Sequence, residues 1–127
     1  MKRSYYAISL VITLSPVISL GQSKFLRACM VSDYSTVRAI VTGTNGKEIV
    51  AKEGDRGICN ALYGDHSPTR VAKSKKILRL LVESGVSPSG KQFVSPIAIA
   101  AYFRAQEYVA QLLELGADPN KPHGESR

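Results

Sequence analysis

The chain has 127 residues, with 17 Lys and Arg against 10 Asp and Glu, a formal charge of +7. That length supports one modest domain with a core of its own rather than several. The basic balance favours an acidic protein, an anionic membrane surface or nucleic acid as partner. Residues 1–21 read as a cleaved secretory signal: Lys2 and Arg3 give a positive start, and residues 5–20 are apolar and uncharged. Ser19 and Gly21 place small residues before a cut ahead of Gln22. The run is short for a spanning helix and Pro16 interrupts it, so an uncleaved membrane anchor is the lesser alternative. Gln22 rather than a cysteine stands directly after Gly21, which argues against a lipoprotein. The expected location is the periplasm, with secretion from a eukaryotic cell or a membrane anchor as the alternatives. Export makes nucleic acid the least expected partner and confines membrane contact to an uncleaved signal. Cleavage leaves residues 22–127, with 15 basic and 10 acidic side chains and a net +5.

The first predicted helix pair lies within residues 23–43. Phe25 to Cys29 form a first helix, Ser32 and Asp33 a hinge, and Val37, Ala39, Ile40 and Val41 a second helix ending near Gly43. Polar Ser23, Lys24, Arg27 and Ser35 suit an outer capping face. Residues 43–47 (GTNGK) superficially resemble a phosphate-binding loop. Glu48 stands where Ser or Thr would bind magnesium and no strand precedes, so a turn is predicted. Residues 45–54 are expected as a long connection, either an extended hairpin finger or a short β-ribbon.

A second pair is expected over 55–85. Its first helix is placed at Gly57 to Tyr63 with Asp55 as cap, followed by a loop over 64–69. Its second helix is placed at 72–84, with Ile77, Leu78, Leu81 and Val82 facing inward. The third pair, over 95–116, is the most regular. Ser95 is an N-cap and Pro96 suits the first helical position. Tyr108, Val109, Leu112, Leu113 and Leu115 form an apolar stripe, and Gly116 closes the second helix. Residues 121–127 are a polar tail. No helix here is long enough to be stable alone, so the pairs must stack.

Ser95-Pro96-Ile97-Ala98-Ile99-Ala100-Ala101 stands where ankyrin repeats have T-P-L-H-L-A-A. Leu112-Leu113-Glu114-Leu115-Gly116-Ala117-Asp118-Pro119-Asn120 stands where they have L-L-E-x-G-A-D-x-N. The segment therefore resembles an ankyrin repeat, with Ala98 in place of the histidine that ties down the adjoining loop. Leu80 to Pro88 repeats the helix-end pattern, with Gly85 and Gly116 spaced 31 apart. The resemblance implies an all-α, ankyrin-like solenoid of about three helix-turn-helix repeats with finger loops, near the minimum that stacking requires. It also implies binding through the fingers and the concave face. On that basis the candidate contacts are Lys47, Lys52 and Arg56 in a first finger and Lys91, Gln92 and Phe93 in a second. Tyr63, Asp65, His66, Tyr102 and Arg104 are candidates near the concave side. Phe93, an aromatic in a polar finger, is a plausible anchor.

Arg70, Lys73, Lys75, Lys76 and Arg79 form the densest basic run. It reads first as a solvated outer helix face and second as a docking patch for an acidic partner or anionic lipid heads. Cys29 and Cys59, on first helices of adjacent repeats in an exported chain, either pair as a disulfide or sit as small buried residues. Asp65, His66 and Ser67 group an acid, an imidazole and a hydroxyl. Adjacent loop residues seldom orient one another as a triad, so a turn is the better reading. His66 and His123 are isolated, so no metal and no cofactor are expected. The expected function is a non-catalytic protein-binding module, foremost an immunity or inhibitor protein neutralising a delivered lipase or other toxin. The alternatives are a scaffold or protector of a resident enzyme, and a small hydrolase using the Asp65-His66-Ser67 loop.

Overall fold

The computed structural model describes residues 23–64, 66–91 and 95–120. Over these residues the protein is all-α, with six helices and no strand: α1 Lys24–Met30, α2 Tyr34–Val41, α3 Gly46–Ala61, α4 Pro68–Glu83, α5 Pro96–Tyr102 and α6 Gln106–Glu114. Local chemistry sets several of the starts. Ser23, Asp33, Ser67 and Ser95 each accept the backbone N–H three residues on, at the starts of α1, α2, α4 and α5. Each such cap contributes about 1 kcal/mol. Pro68 and Pro96 occupy first helical turns, where a missing N–H costs nothing. Gly85 (φ 109°) and Gly116 (φ 105°) take the left-handed conformation that ends α4 and α6.

The helices pack in two rows. Odd-numbered helices contact one another in sequence, α1 on α3 and α3 on α5. Even-numbered helices do the same, α2 on α4 and α4 on α6. Between the rows lies one apolar core that includes Phe25, Leu26, Ile58, Leu62, Ile77, Leu78, Leu81, Tyr108 and Leu112. The α1–α3 seam is close because Gly57 has no side chain. A Cβ there would lie 2.8 Å from the Phe25 ring and 3.3 Å from Cys29 Sγ. Polar bonds fix the register: Ser23 Oγ donates to Glu53 Oε1 (2.7 Å) and Asn60 Nδ2 to Leu26 O (3.0 Å). Between α4 and α6, Gln111 is only 4% exposed and its Nε2 donates to Lys75 O (2.9 Å).

The middle of the chain departs from expectation. Residues 45–54 are neither finger nor ribbon, because α3 begins at Gly46 and runs unbroken to Ala61. The apolar positions explain this: Val50, Gly54, Gly57, Ile58 and Ala61 recur at three- and four-residue spacing and are all buried. Asp55 is therefore no N-cap. It lies inside α3, and its Oδ1 accepts the Lys91 N–H (2.9 Å). In this way it ties Lys91, ahead of α5, to α3, whereas Ala98 within α5 has no polar side chain to do so. Likewise α4 starts at Pro68 rather than at 72, because Ser67 caps it. The 121–127 tail and the signal at 1–21 lie outside the described residues.

Gly57→Val is expected to lower stability by about 2 kcal/mol, since the new methyls enter a filled seam. Urea unfolding midpoints test this, and an unchanged midpoint would contradict the tight α1–α3 contact.

Candidate functional site

The hinges that join paired helices all lie at one end of the rows. Each uses a left-handed residue: Ser32 (φ 60°), Gly64 (φ 97°) and Arg104 (φ 57°). The first two are locked to each other. Arg70 Nε donates to Ser32 Oγ (2.9 Å), and its Nη2 donates to Met30 O and to Tyr63 O, the latter at 3.2 Å. Ser32 Oγ also shares a short hydrogen bond with buried Ser74 Oγ. The guanidinium fills the space a Cβ on Gly64 would need. Arg70 thus departs from the basic run expected of it: it is turned inward as a clamp.

The rest of that run divides. Lys73, Lys76 and Arg79 are exposed on α4 and Lys75 is half-buried. Lys76 lies 5.7 Å from the Tyr34 ring centroid, a cation–π distance. Asp33, beside them, has its carboxyl held below the ordinary 3.8, chiefly by hydrogen bonds from Thr36 and secondarily by the nearby Lys73.

Four aromatic side chains and a histidine gather at the second and third hinges. Phe103 is their centre, edge-on to Tyr63 (5.5 Å), His66 (5.7 Å) and Tyr102 (5.2 Å). His66 is also edge-on to Tyr108 at 5.6 Å, and its ring Nε2 pairs with Leu62 O at 3.2 Å. These edge-to-face contacts fix the rings in place. Tyr102 is 81% exposed and Tyr63 39%. Beside them a cleft of about 290 Å³ is lined by His66, Val71, Arg104, Ala105, Gln106, Glu107 and Tyr108. Arg104 is exposed, and among the described residues its guanidinium has no hydrogen-bond or ion-pair partner.

Of the candidate contacts, Tyr63, His66, Tyr102 and Arg104 therefore come together, and Phe103 joins them. Phe103 was missed because a residue directly after a short helix carries no periodic signal. Lys47, Lys52 and Arg56 are exposed but stand on α3 rather than on a finger. Lys52 and Arg56 share one stripe, one turn apart, which leads toward Tyr63 seven residues beyond Arg56. Lys91 is exposed next to Asp55, away from this group; with Lys47 it lines a separate cleft of about 350 Å³. Asp65, Gln92 and Phe93 lie outside the described residues. Ser67 is engaged as the α4 cap, accepting the Arg70 N–H.

Cys29 and Cys59 are free thiols, not a disulfide. Cys29 meets α3 at Gly57. Cys59, two residues further along the helix, points roughly 200° away from that contact. Burial pushes the Cys29 thiol up to about 12 and the Cys59 thiol up to about 11, from an ordinary 9.0. Among the described residues no group of three His, Cys, Asp or Glu is placed to hold a metal ion. No family model, curated protein or solved structure matches this chain, so its geometry carries the functional reading.

Two measurements follow from this geometry. A non-glycine residue with positive φ costs about 1 kcal/mol, so Arg104→Gly should raise stability by roughly that amount. A fall in melting temperature would contradict it. The raised thiol pKa values favour the folded state fully below pH 9.0, and that contribution is lost as pH rises from 9.0 toward 12. Native protein at pH 8 should resist iodoacetamide at both cysteines, whereas urea-unfolded protein should take two equivalents. Rapid labelling of native Cys29 would contradict its burial.

Proposed function

We propose that this protein is an ankyrin-like stack of three helix pairs that holds another protein and performs no catalysis. The observation that carries the binding role is the pair of outward tyrosines, Tyr63 and Tyr102, fixed by ring contacts to Phe103. Rigid aromatics on a surface lose little conformational freedom on binding and are frequent anchors at interfaces. The stacking reading draws support from the two helix rows and from the left-handed turns at both ends of the hairpins. It also draws on the 95–120 motif.

The biological setting we propose is the periplasm, reached through a cleaved signal at 1–21, where the chain acts as an immunity or inhibitor protein against a delivered lipase or other toxin. Protection of a resident enzyme is the neighbouring reading. Hydrolysis by the Asp65-His66-Ser67 loop is disfavoured. The His66 ring is held between Phe103 and Tyr108 with Nε2 on Leu62 O, and Ser67 Oγ caps α4.

The test begins with exported protein from the native host, N-terminally sequenced and used to capture partners. The captured partner is then purified and its affinity measured directly. Tyr102→Ala should weaken that affinity at least ~10-fold while leaving the fold intact. Absence of any partner, or a hydrolytic activity abolished by His66→Ala, would overturn the proposal.

A further inference from the structure

We infer that the partner presents an acidic segment carrying an aromatic or aliphatic side chain, and that this segment lies along Lys52, Arg56, Tyr63, Tyr102 and Arg104. The inference rests on the binding-module reading above and adds the chemistry of what is bound.

The track has two parts. Lys52, Arg56 and Cys59 recur along one side of α3, within about 60° of one another at 3.6 residues per turn, and Tyr63 follows just past the helix end. Lys52 and Arg56 are exposed, Cys59 is half-buried and Tyr63 is exposed. Tyr63 is edge-on to Phe103, which brings the α3 stripe to the end of α5. There Tyr102 stands 81% exposed, with Arg104 two residues on. Cations therefore flank an aromatic ledge from two sides, Arg56 and Lys52 from α3 and Arg104 from the third hinge.

The nearby acids keep their charge but are directed off the stripe. Glu53 is turned to α1, where it accepts from Ser23, and Asp55 to the residues before α5, where it accepts from the Lys91 amide. Glu48 stands one turn before Lys52, at the far end of the stripe, and Glu107 lines the Arg104 cleft without pairing to it. An occupant that matches this surface places carboxylates against Arg56 and Arg104 and an apolar side chain across the tyrosine rings. Charge complementarity of this kind sets orientation and encounter rate.

Arg104 supplies a second line of argument. At the equivalent first hinge, Ser32 takes the same left-handed conformation, but its hydroxyl is buried in the Arg70–Ser74 network. At the middle hinge the residue is Gly64. Among the described residues the Arg104 side chain has no hydrogen-bond or ion-pair partner, and Arg104 lacks the freedom of glycine. What its side chain can offer at that turn is an outward guanidinium, which suits bidentate pairing with a carboxylate.

The test uses the full chain and a displayed library of random dodecapeptides. Selected peptides should be enriched in Asp and Glu beside Phe, Tyr, Leu or Met. Their affinity should fall about 10-fold or more in Arg56→Glu/Arg104→Glu and weaken with added salt. Lys73→Glu/Lys76→Glu, on the opposite row, should bind as the parent does. Circular dichroism confirms that both variants stay folded. Enriched peptides without acidic bias, or undiminished binding by the Arg56/Arg104 variant, would overturn this inference and leave the binding-module reading standing. If no peptide is enriched and no partner is captured, both readings fail.

Discussion

One guanidinium holds two hinges. Arg70, at the start of α4, donates to Ser32 Oγ and Met30 O in the first hinge and to Tyr63 O in the second. Met30 ends α1, Ser32 lies buried in the first hinge, and Tyr63 opens the second, which joins the two longest helices. A planar, permanently charged fork can serve several acceptors at fixed angles, which an ammonium group cannot. The contact is possible because residue 64 is glycine and because Ser32 keeps its hydroxyl inside, against Ser74. Through Tyr63, whose ring meets Phe103, this rigidity passes to the third hinge. The aromatic ledge is thus the far end of a chain of contacts that begins at Arg70.

The long α3 complements this clamp. Its first two turns occupy the space where a finger was expected, and they place Lys47 and Lys52 on a helix rather than on a flexible loop. The loop before α5 is fastened to α3 through Asp55, and the next one is fastened in turn, Asp118 N–H donating to Ser89 Oγ at 2.8 Å. Both ends of the hairpins are consequently ordered by side-chain to backbone bonds. The core between them is close-packed around Phe25, Ile58, Leu78 and Tyr108.

The third helix pair was readable from sequence because its signals are local. A serine cap, a proline in the first turn and a closing glycine each act within a few residues. The first pair was readable for the same reason, with Asp33 capping α2. The α3 helix was not, because its buried face includes Gly54 and Gly57, which lower helix propensity and look like loop residues. Only the neighbours Val86 and Phe25, which fill the space above those glycines, make the helix favourable. Arg70 sits in a run of lysines and arginines that reads as a solvated face; its inward turn depends on Met30 O and Ser32 Oγ, about 40 residues away in the chain. For the candidate site, the tyrosines and Arg104 were named through the ankyrin resemblance, as candidates near a concave side. Their convergence on Phe103 depends on how α3 and α5 pack.

The coupling between Ser32 and Arg70 can be measured directly. A double-mutant cycle with Ser32→Ala and Arg70→Met, read by urea unfolding of the full chain, isolates the clamp from the separate cost of each truncation. A shared hinge network requires an interaction energy of about 1 kcal/mol or more, with the double variant less destabilised than the sum of the singles. Additivity to within about 0.3 kcal/mol would show that the two hinges are held independently, and would contradict the clamp as the basis of a rigid ledge.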